Sequence, residues 1–310
     1  MKIVFMGTPD IAAGVLKDLN DSKHEIVCVV TQPDKPNSRG NEIIFSPVKK
    51  MALECGLEVL QPLKASSEEF AEKLKSYKPD IIVVVAFGQI LKKNILELAK
   101  YGCVNVHASL LPKYRGASPI QWAVINGEEE TGITIMQMDP GIDTGDIILQ
   151  EKIKLAPDET AGSLFDRLTF LAGPVLLQAL DRIEAGTAEF IHQDNDKATY
   201  VSVLKKSMGK LDFSFSAVEI ERLIRGLIPW PGAYTFINGK MLKIWKTCIA
   251  SEEEKIKAEP GQIRIKDNAL FIGTGDGALE IHELQLEGKK RMPAYDFLRG
   301  TSITDGEYTG

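Results

Sequence analysis

The run Ile81-Ile82-Val83-Val84-Val85 is apolar at every position and leads into Ala86 and Phe87. A strand with two apolar faces must be covered on both sides, which is the situation of a parallel sheet held between helices. From Ile81 to Phe87 it is also the longest apolar stretch of the chain, far below the roughly 18 residues that a membrane-spanning helix requires. One buried parallel sheet and no membrane span are therefore the first expectations.

The flanking sequence agrees. Strand patterns at 2–7, 25–31, 80–86, 102–107, 132–138 and 147–155 alternate with helical patterns at 9–19, 46–55, 68–76, 119–126 and 160–185. Such alternation predicts an open, mostly parallel α/β sheet over 1–189, whose ligands sit at the carboxyl ends of the strands. A polar stretch, 190–208, follows and reads as a linker. Beyond it the pattern changes to one helix, 216–227, and short strands at 233–237, 241–248, 261–265, 269–273 and 279–286. Short strands separated by Asn-Gly, Asp-Asn and Gly-Asp-Gly turns predict a small β-barrel of the OB type over 209–310. A length of 310 residues suits two domains, and 44% hydrophobic with 26% charged residues excludes bulk disorder.

Net charge is −6, which argues against nucleic-acid binding driven by bulk charge. The imbalance lies in 1–189, with 20 basic and 26 acidic side chains, whereas 209–310 holds 14 and 15. A local basic groove is still available from Lys205-Lys206, Lys210, Lys243, Lys246 and Lys289-Lys290-Arg291, although single lysine clusters are more often solvated faces. Cys28, Cys55, Cys103 and Cys248 are spaced 27, 48 and 145 apart, unlike a metal clip or a redox pair. They read as reduced core residues, and Met1-Lys2 runs straight into a strand with no secretory leader, so a cytoplasmic protein is expected.

An open α/β sheet invites nucleotides, but the first strand is followed by Gly7-Thr8-Pro9-Asp10 without Gly-x-Gly-x-x-Gly, and no Walker A sequence exists. Gly273-Thr274-Gly275-Asp276-Gly277 lies between two strands and reads as a hairpin turn. The chemistry is better placed at Asn105-Val106-His107, which ends a strand. Residues two apart on a strand project to one face. His107 is the only one of four histidines at the carboxyl end of a sheet strand. A second segment, Met138 to Asp146, holds three aspartates and two glycines after another strand. A turn explains that composition; so does a carboxylate that reaches His107. Histidine, amide and carboxylate together suit acyl transfer without a covalent enzyme intermediate, the amide and imidazole donating to an oxyanion while the carboxylate stabilises the imidazolium. Ser109 lacks the Gly-x-Ser-x-Gly elbow of a serine hydrolase.

The motifs Asn105-x-His107, Ser109-Leu110-Leu111-Pro112, Arg115-Gly116-Ala117-x-Pro119-Ile120-Gln121 and Asp143-Thr144-Gly145-Asp146 resemble those of the 10-formyltetrahydrofolate-dependent formyltransferases. Gly7-Thr8-Pro9-Asp10, Thr31-Gln32-Pro33-Asp34, Ser46-Pro47-Val48-Lys49, Thr134 to Asp139 and Pro229-Trp230-Pro231 are similar to the branch of that family that formylates methionyl initiator tRNA. The resemblance covers nearly the whole chain. It implies a Rossmann-like catalytic domain, with Asn105, His107 and Asp143 as the catalytic trio and Asp146 a structural turn residue. It further implies a folate site lined by Ser109, Leu110, Leu111 and Pro112 and by the backbone of Phe87, Gly88, Ile90 and Leu91. Methionyl initiator tRNA would be the partner, contacted by the loop 34–45 through Lys35 and Arg39 and by Lys205 and Lys206. That loop reads Arg39-Gly40-Asn41-Glu42 where relatives often read Arg-Gly-Lys-Lys, and Lys113-Tyr114 replaces the commoner Arg-Trp. A monomer needing no metal is implied. The rival readings are a formyltransferase for a nucleotide-linked amino sugar, a tRNA-binding protein with a vestigial catalytic domain, and a folate hydrolase, which would lack the barrel.

Overall fold

A computed structural model describes residues 1–36, 43–251 and 256–310. The chain divides into two compact units, Met1–Pro119, Glu130–Lys154 and Phe165–Val201 forming the first and Ile120–Glu129, Leu155–Leu164 and Ser202–Gly310 the second.

The first unit is built on a seven-stranded sheet. In chain order its strands are β1 (Lys2–Gly7), β2 (Glu25–Val30), β3 (Val59–Leu60), β4 (Ile81–Val85), β5 (Cys103–His107), β6 (Glu130–Gln137) and β7 (Ile147–Lys154). They lie side by side as β7-β6-β5-β4-β1-β2-β3. All pairings from β3 to β5 are parallel, and β6 and β7 run antiparallel at the edge. The five residues of β4 are at most 5% exposed, as a strand with two apolar faces requires. The chain leaves β1 in one direction through β2 and β3, then returns to β4 on the other side of β1. That reversal opens a crevice at the carboxyl ends of β1 and β4, where open α/β sheets bind ligands.

The helices follow local signals. Helix α1 (Asp10–Asn20) buries Ile11, Ala12, Ala13, Val15, Leu16 and Leu19, the spacing of an amphipathic stripe. Helix α2 (Pro47–Glu54) starts with Pro47, and the Ser46 hydroxyl caps it by accepting from Lys49 N–H at 3.1 Å. Helix α3 (Glu68–Ser76) is capped by Ser67 and carries Glu68 and Glu69 at its positive end and Lys73 and Lys75 at its negative end. One core cluster packs α3 residues Phe70, Ala71 and Leu74 beneath Val4, Met6, Cys28, Val30, Ile82 and Val84 of the sheet. Helix α4 (Pro119–Ile125) and the long helix α5 (Ala161–Glu184) complete this half of the chain.

In the second unit, helix α6 (Ala217–Gly226) has the capping box formed by Ser216 and Glu219. An antiparallel sheet follows, of β8 (Ala233–Ile237), β9 (Lys240–Ile249), β10 (Ile263–Lys266), β11 (Ala269–Gly273), β12 (Ala278–Leu286) and β13 (Met292–Pro293), with helix α7 (Ala294–Gly300) after it. Inward residues of these strands, with Ile220 and Ile224 of α6 and Phe297 of α7, form one core, giving a small barrel-like domain. Gly273 to Gly277 is the hairpin loop expected between β11 and β12.

The two contact-based units interleave along the chain, and the stretch 190–208 carries ordered backbone pairings. Ile191 and Ile147 exchange two backbone hydrogen bonds of 2.8 Å, and Tyr200–Val201 pairs with Arg115–Gly116 in the first unit. Segments 120–129 and 155–164 group with the second unit, where Trp122 Nε1–H donates to Ser202 O (3.0 Å) and Arg225 Nη1–H to Glu159 O (2.7 Å). The cysteines also differ among themselves. Burial pushes the Cys28 and Cys103 thiols up to about 12. Cys55 is half-buried and Cys248 exposed, because Cys248 lies near the outer end of β9, where alternation turns side chains to solvent.

Candidate functional site

Strand β5 is buried throughout except at Asn105, which is half-buried; His107, two residues on, is 6% exposed. They sit opposite Met136 and Thr134 of β6. Among the described residues the Asn105 side-chain amide has no hydrogen-bond partner, so it keeps two donors at the strand's carboxyl end. His107 is fixed instead. Its Nε2 lies 2.9 Å from Tyr114 O. A carbonyl only accepts, so Nε2 carries a proton and donates, leaving Nδ1 as the reactive nitrogen. Nδ1 faces Asp143 Oδ2 at 3.7 Å, beyond hydrogen-bond length but close enough for strong electrostatic influence. The structure thus gathers Asn105, His107 and Asp143, residues of two separate segments.

Asp143 is held from several sides. Its backbone has φ +54°, in the left-handed region that non-glycine residues rarely adopt. Gly116 N–H donates to Asp143 Oδ2 at 2.7 Å, and Gln193 Nε2–H donates to the carbonyls of Asp143 (2.9 Å) and Gly145 (2.7 Å). Asp139 organises the turn, its Oδ1 accepting from Gly141 N–H (2.9 Å) and Thr144 Oγ1–H (2.6 Å). Asp146 sits outside this arrangement, its Oδ1 lying 3.0 Å from His192 Nδ1 and its carbonyl accepting from Gln137 N–H. Tyr114 (φ +63°), Ser118 (φ +62°) and Ala86 (φ +45°) are further non-glycine residues in that backbone region on the neighbouring loops. Strain of this kind persists where surrounding contacts over-determine the backbone.

The expected folate-lining residues fall into two groups. Gly88 and Ile90 are exposed, and Leu110 and Pro112 half-buried, so they offer surface. Phe87 is 2% exposed, and its carbonyl already accepts from Thr8 Oγ1–H (2.9 Å) and Gln32 Nε2–H (3.1 Å). Leu91 belongs to the core beneath the sheet. Leu111 is 3% exposed, with its N–H donating to Thr134 Oγ1, and Ser109 is fully buried, with its hydroxyl spent on Lys113 O at 2.8 Å. The side chains of Ser109, Leu111, Phe87 and Leu91 are thus buried and shape these loops from inside.

Of the expected RNA contacts, Lys205 and Lys206 are exposed in the second unit. Lys35 lies in a two-residue strand paired with Ile43–Ile44, and Arg39 falls outside the described residues. Asp34 and Lys49 form an ion pair that Gln61 joins. Two groups of described side chains could hold a cation, Cys248 with Glu280 and His282, and His24 with Asp181 and Glu184; neither includes a residue of the trio. The acids of the second group already pair with Lys23 and the N-terminal amine. No helix among the described residues is long and apolar enough to cross a membrane.

Sequence reasoning missed Tyr114, whose carbonyl sets the His107 tautomer, and the roles of Gly116, Arg115 and Gln193. Arg115-Gly116 stood inside a recognised motif without a function. Gln193 carried no signal beyond its polarity.

Residues 1–180 match the formyl transferase family and residues 203–302 the formyl transferase C-terminal domain. The chain belongs to the formyltransferase family. Within this family it is 53% identical over 314 residues to the methionyl-tRNA formyltransferase of Lachnospira eligens, covering 100% of both chains. The enzymes of that name from Agathobacter rectalis and Clostridioides difficile are 51% and 48% identical, with 99% and 100% of each chain covered. Its fold is similar to that of distantly related solved structures. An N-formyltransferase from Helicobacter canadensis, in complex with folinic acid and dTDP-3-aminofucose, superposes with a TM-score of 0.68 at 23% identity, covering 94% of this chain and 100% of the other. HypX from Aquifex aeolicus, in complex with tetrahydrofolic acid, gives 0.63 at 18% identity, covering 96% of this chain and 47% of the other.

Proposed function

We propose that this formyltransferase moves the formyl group of 10-formyltetrahydrofolate to the α-amino group of methionine esterified to initiator tRNA, making N-formylmethionyl-tRNA for translation initiation. The observation that carries this reading is its length: relatives named methionyl-tRNA formyltransferase match from end to end at about half identity, second domain included. Distant sugar formyltransferases share the fold.

The trio's geometry supports a direct acyl transfer. The neutral amine attacks the formyl carbon; α-amino groups titrate near about 7.7–8.0, so about a tenth or more is already unprotonated near neutrality and the rest loses its proton to solvent. The carbonyl oxygen becomes an oxyanion, to which the uncommitted Asn105 amide donates. His107 works through Nδ1, which takes the proton the attacking nitrogen loses and passes it to the departing folate nitrogen. Asp143 beside Nδ1 stabilises the positive charge that this places on the imidazole. Once the new C–N bond has formed, the oxyanion collapses to the carbonyl and the C–N bond to folate breaks, its nitrogen leaving with the proton from His107; no covalent enzyme intermediate is needed. Holding amine and formyl carbon about 3 Å apart is the larger task.

Ser109, Leu110, Leu111 and Pro112, with the backbone of Phe87, Gly88, Ile90 and Leu91, would line the folate site at the carboxyl ends of β4 and β5, where Gly88, Ile90, Leu110 and Pro112 offer the accessible surface. Residues 1–189 carry the chemistry in this reading, and 209–310, with Lys205, Lys206, Lys35 and Arg39, the RNA. The protein works as a cytoplasmic monomer, where charged tRNA and folates are pooled, needs no metal and binds no membrane. The test is formyl transfer from 10-formyltetrahydrofolate to purified methionyl initiator tRNA, read as formylmethionine released by mild base. No formylmethionine at enzyme concentrations equal to the tRNA would refute the reading.

A further inference from the structure

Among the described residues Arg115 is the largest fully buried side chain, 1% exposed. Its guanidinium donates only to neutral acceptors: Gln193 Oε1 from Nε (3.0 Å) and Nη2 (2.9 Å), Asn195 Oδ1 from Nη2 (2.9 Å) and Tyr200 Oη from Nη1 (3.0 Å). No carboxylate among the described residues pairs with it. A buried charge answered by dipoles alone is costly to keep, so its placement calls for a reason.

The reason lies on the other side of Gln193. Arginine has donors and no acceptors, so the Gln193 amide must turn its oxygen to Arg115 and its nitrogen the opposite way. That nitrogen meets the carbonyls of Asp143 and Gly145. Accepting two bonds from a cation polarises the amide and strengthens its two N–H donors. The residue after Arg115 acts on the same target, since Gly116 N–H holds the Asp143 carboxylate. Asp143 is thereby gripped at its backbone and at its carboxylate by groups that trace back to one arginine, which offsets its left-handed φ of +54°.

We infer that Arg115 and Gln193 are positioning residues for the transfer reaction: they fix the loop that carries Asp143 at its distance from His107. This rests on the role proposed for Asp143.

Gln193→Glu separates the two halves of the device. A glutamate still accepts from Arg115, and now pairs its charge, but it has no donor for the two loop carbonyls. The variant is expected to match or exceed the wild-type melting temperature while kcat falls about 10–100-fold and both KM values stay within about threefold, the pattern of a misplaced catalytic group. Asn195→Ala removes an Arg115 acceptor that does not touch the loop, and should leave kcat within about twofold. A wild-type kcat in Gln193→Glu, or equal losses in both variants, would overturn the inference. Crystals of Gln193→Glu read the His107–Asp143 separation without any acceptor, and it should exceed the wild-type distance; an unchanged separation contradicts the positioning role. An inactive wild type would instead refute the proposed substrate and leave the crystallographic answer standing.

Discussion

At the carboxyl end of β5 the two nitrogens of His107 are committed by different neighbours, Nε2 to the carbonyl of Tyr114 and Nδ1 to the side on which Asp143 lies. The amide of Asn105, on the same face, has no such commitment. One side chain is therefore fixed in tautomer, and the other keeps its donors uncommitted at the strand end for an oxyanion. Removing one preorganised donor costs on the order of 10²–10³ in rate. Asn105→Ala and His107→Ala should each lose at least about 100-fold in kcat under saturating substrates. A loss below tenfold in either would show that the chemistry lies elsewhere. The pairing of Asn105 with His107 was legible in the sequence because a strand repeats every two residues, so their spacing alone places them together. Residue pattern alone left Asp143 as one of three aspartates in a turn, and the family resemblance singled it out. Its anchor, Gly116 N–H, is a backbone donor that leaves no mark on composition.

Gly116 connects this residue chemistry to the element that carries it. Its φ of +100° suits glycine alone, and a Cβ there would press on the Val201 carbonyl, on the strand that pairs with 115–116. Gly116→Ala is expected to destabilise the protein by about 1–3 kcal/mol through backbone strain. It should also lower kcat by at least about tenfold as the N–H to Asp143 shifts. Melting temperature and kcat measured on one preparation check both, and an unaffected kcat in a destabilised variant would sever the link. The same strand shows what polarity conceals in 190–208. Its polarity looks like solvent exposure, yet Gln193 is 3% exposed and its polar atoms are all spent on Arg115 and the Asp143 loop. Pattern reading equates polar with outside, and a contact between residues 78 apart in sequence has no local signature. The sheet was easier. The Ile81–Val85 run, the Ser46-Pro47 cap and the alternation of periods specify most of it locally, whereas the short edge strand β3 and the antiparallel pairing of β6 with β5 and β7 needed the structure.

Across the whole molecule the net charge of −6 opposes a long polyanion, so affinity for tRNA must come from local basic groups. Lys205 and Lys206 are exposed and adjacent, in the second unit. Replacing both with alanine should raise the KM for charged tRNA about 10-fold at physiological salt, flatten its salt dependence by one or two ions, and leave the KM for the folate unchanged. Equal effects on both substrates would place these lysines elsewhere in the reaction. The choice of acceptor is the property on which everything else depends, because the fold is shared with sugar formyltransferases. The decisive measurement compares kcat/KM for methionyl initiator tRNA, free methionine and a nucleotide-linked amino sugar in one assay with 10-formyltetrahydrofolate. Transfer to the charged tRNA, with the other two acceptors near background and His107→Ala silent on all three, is the predicted result. Transfer to the sugar alone would contradict it.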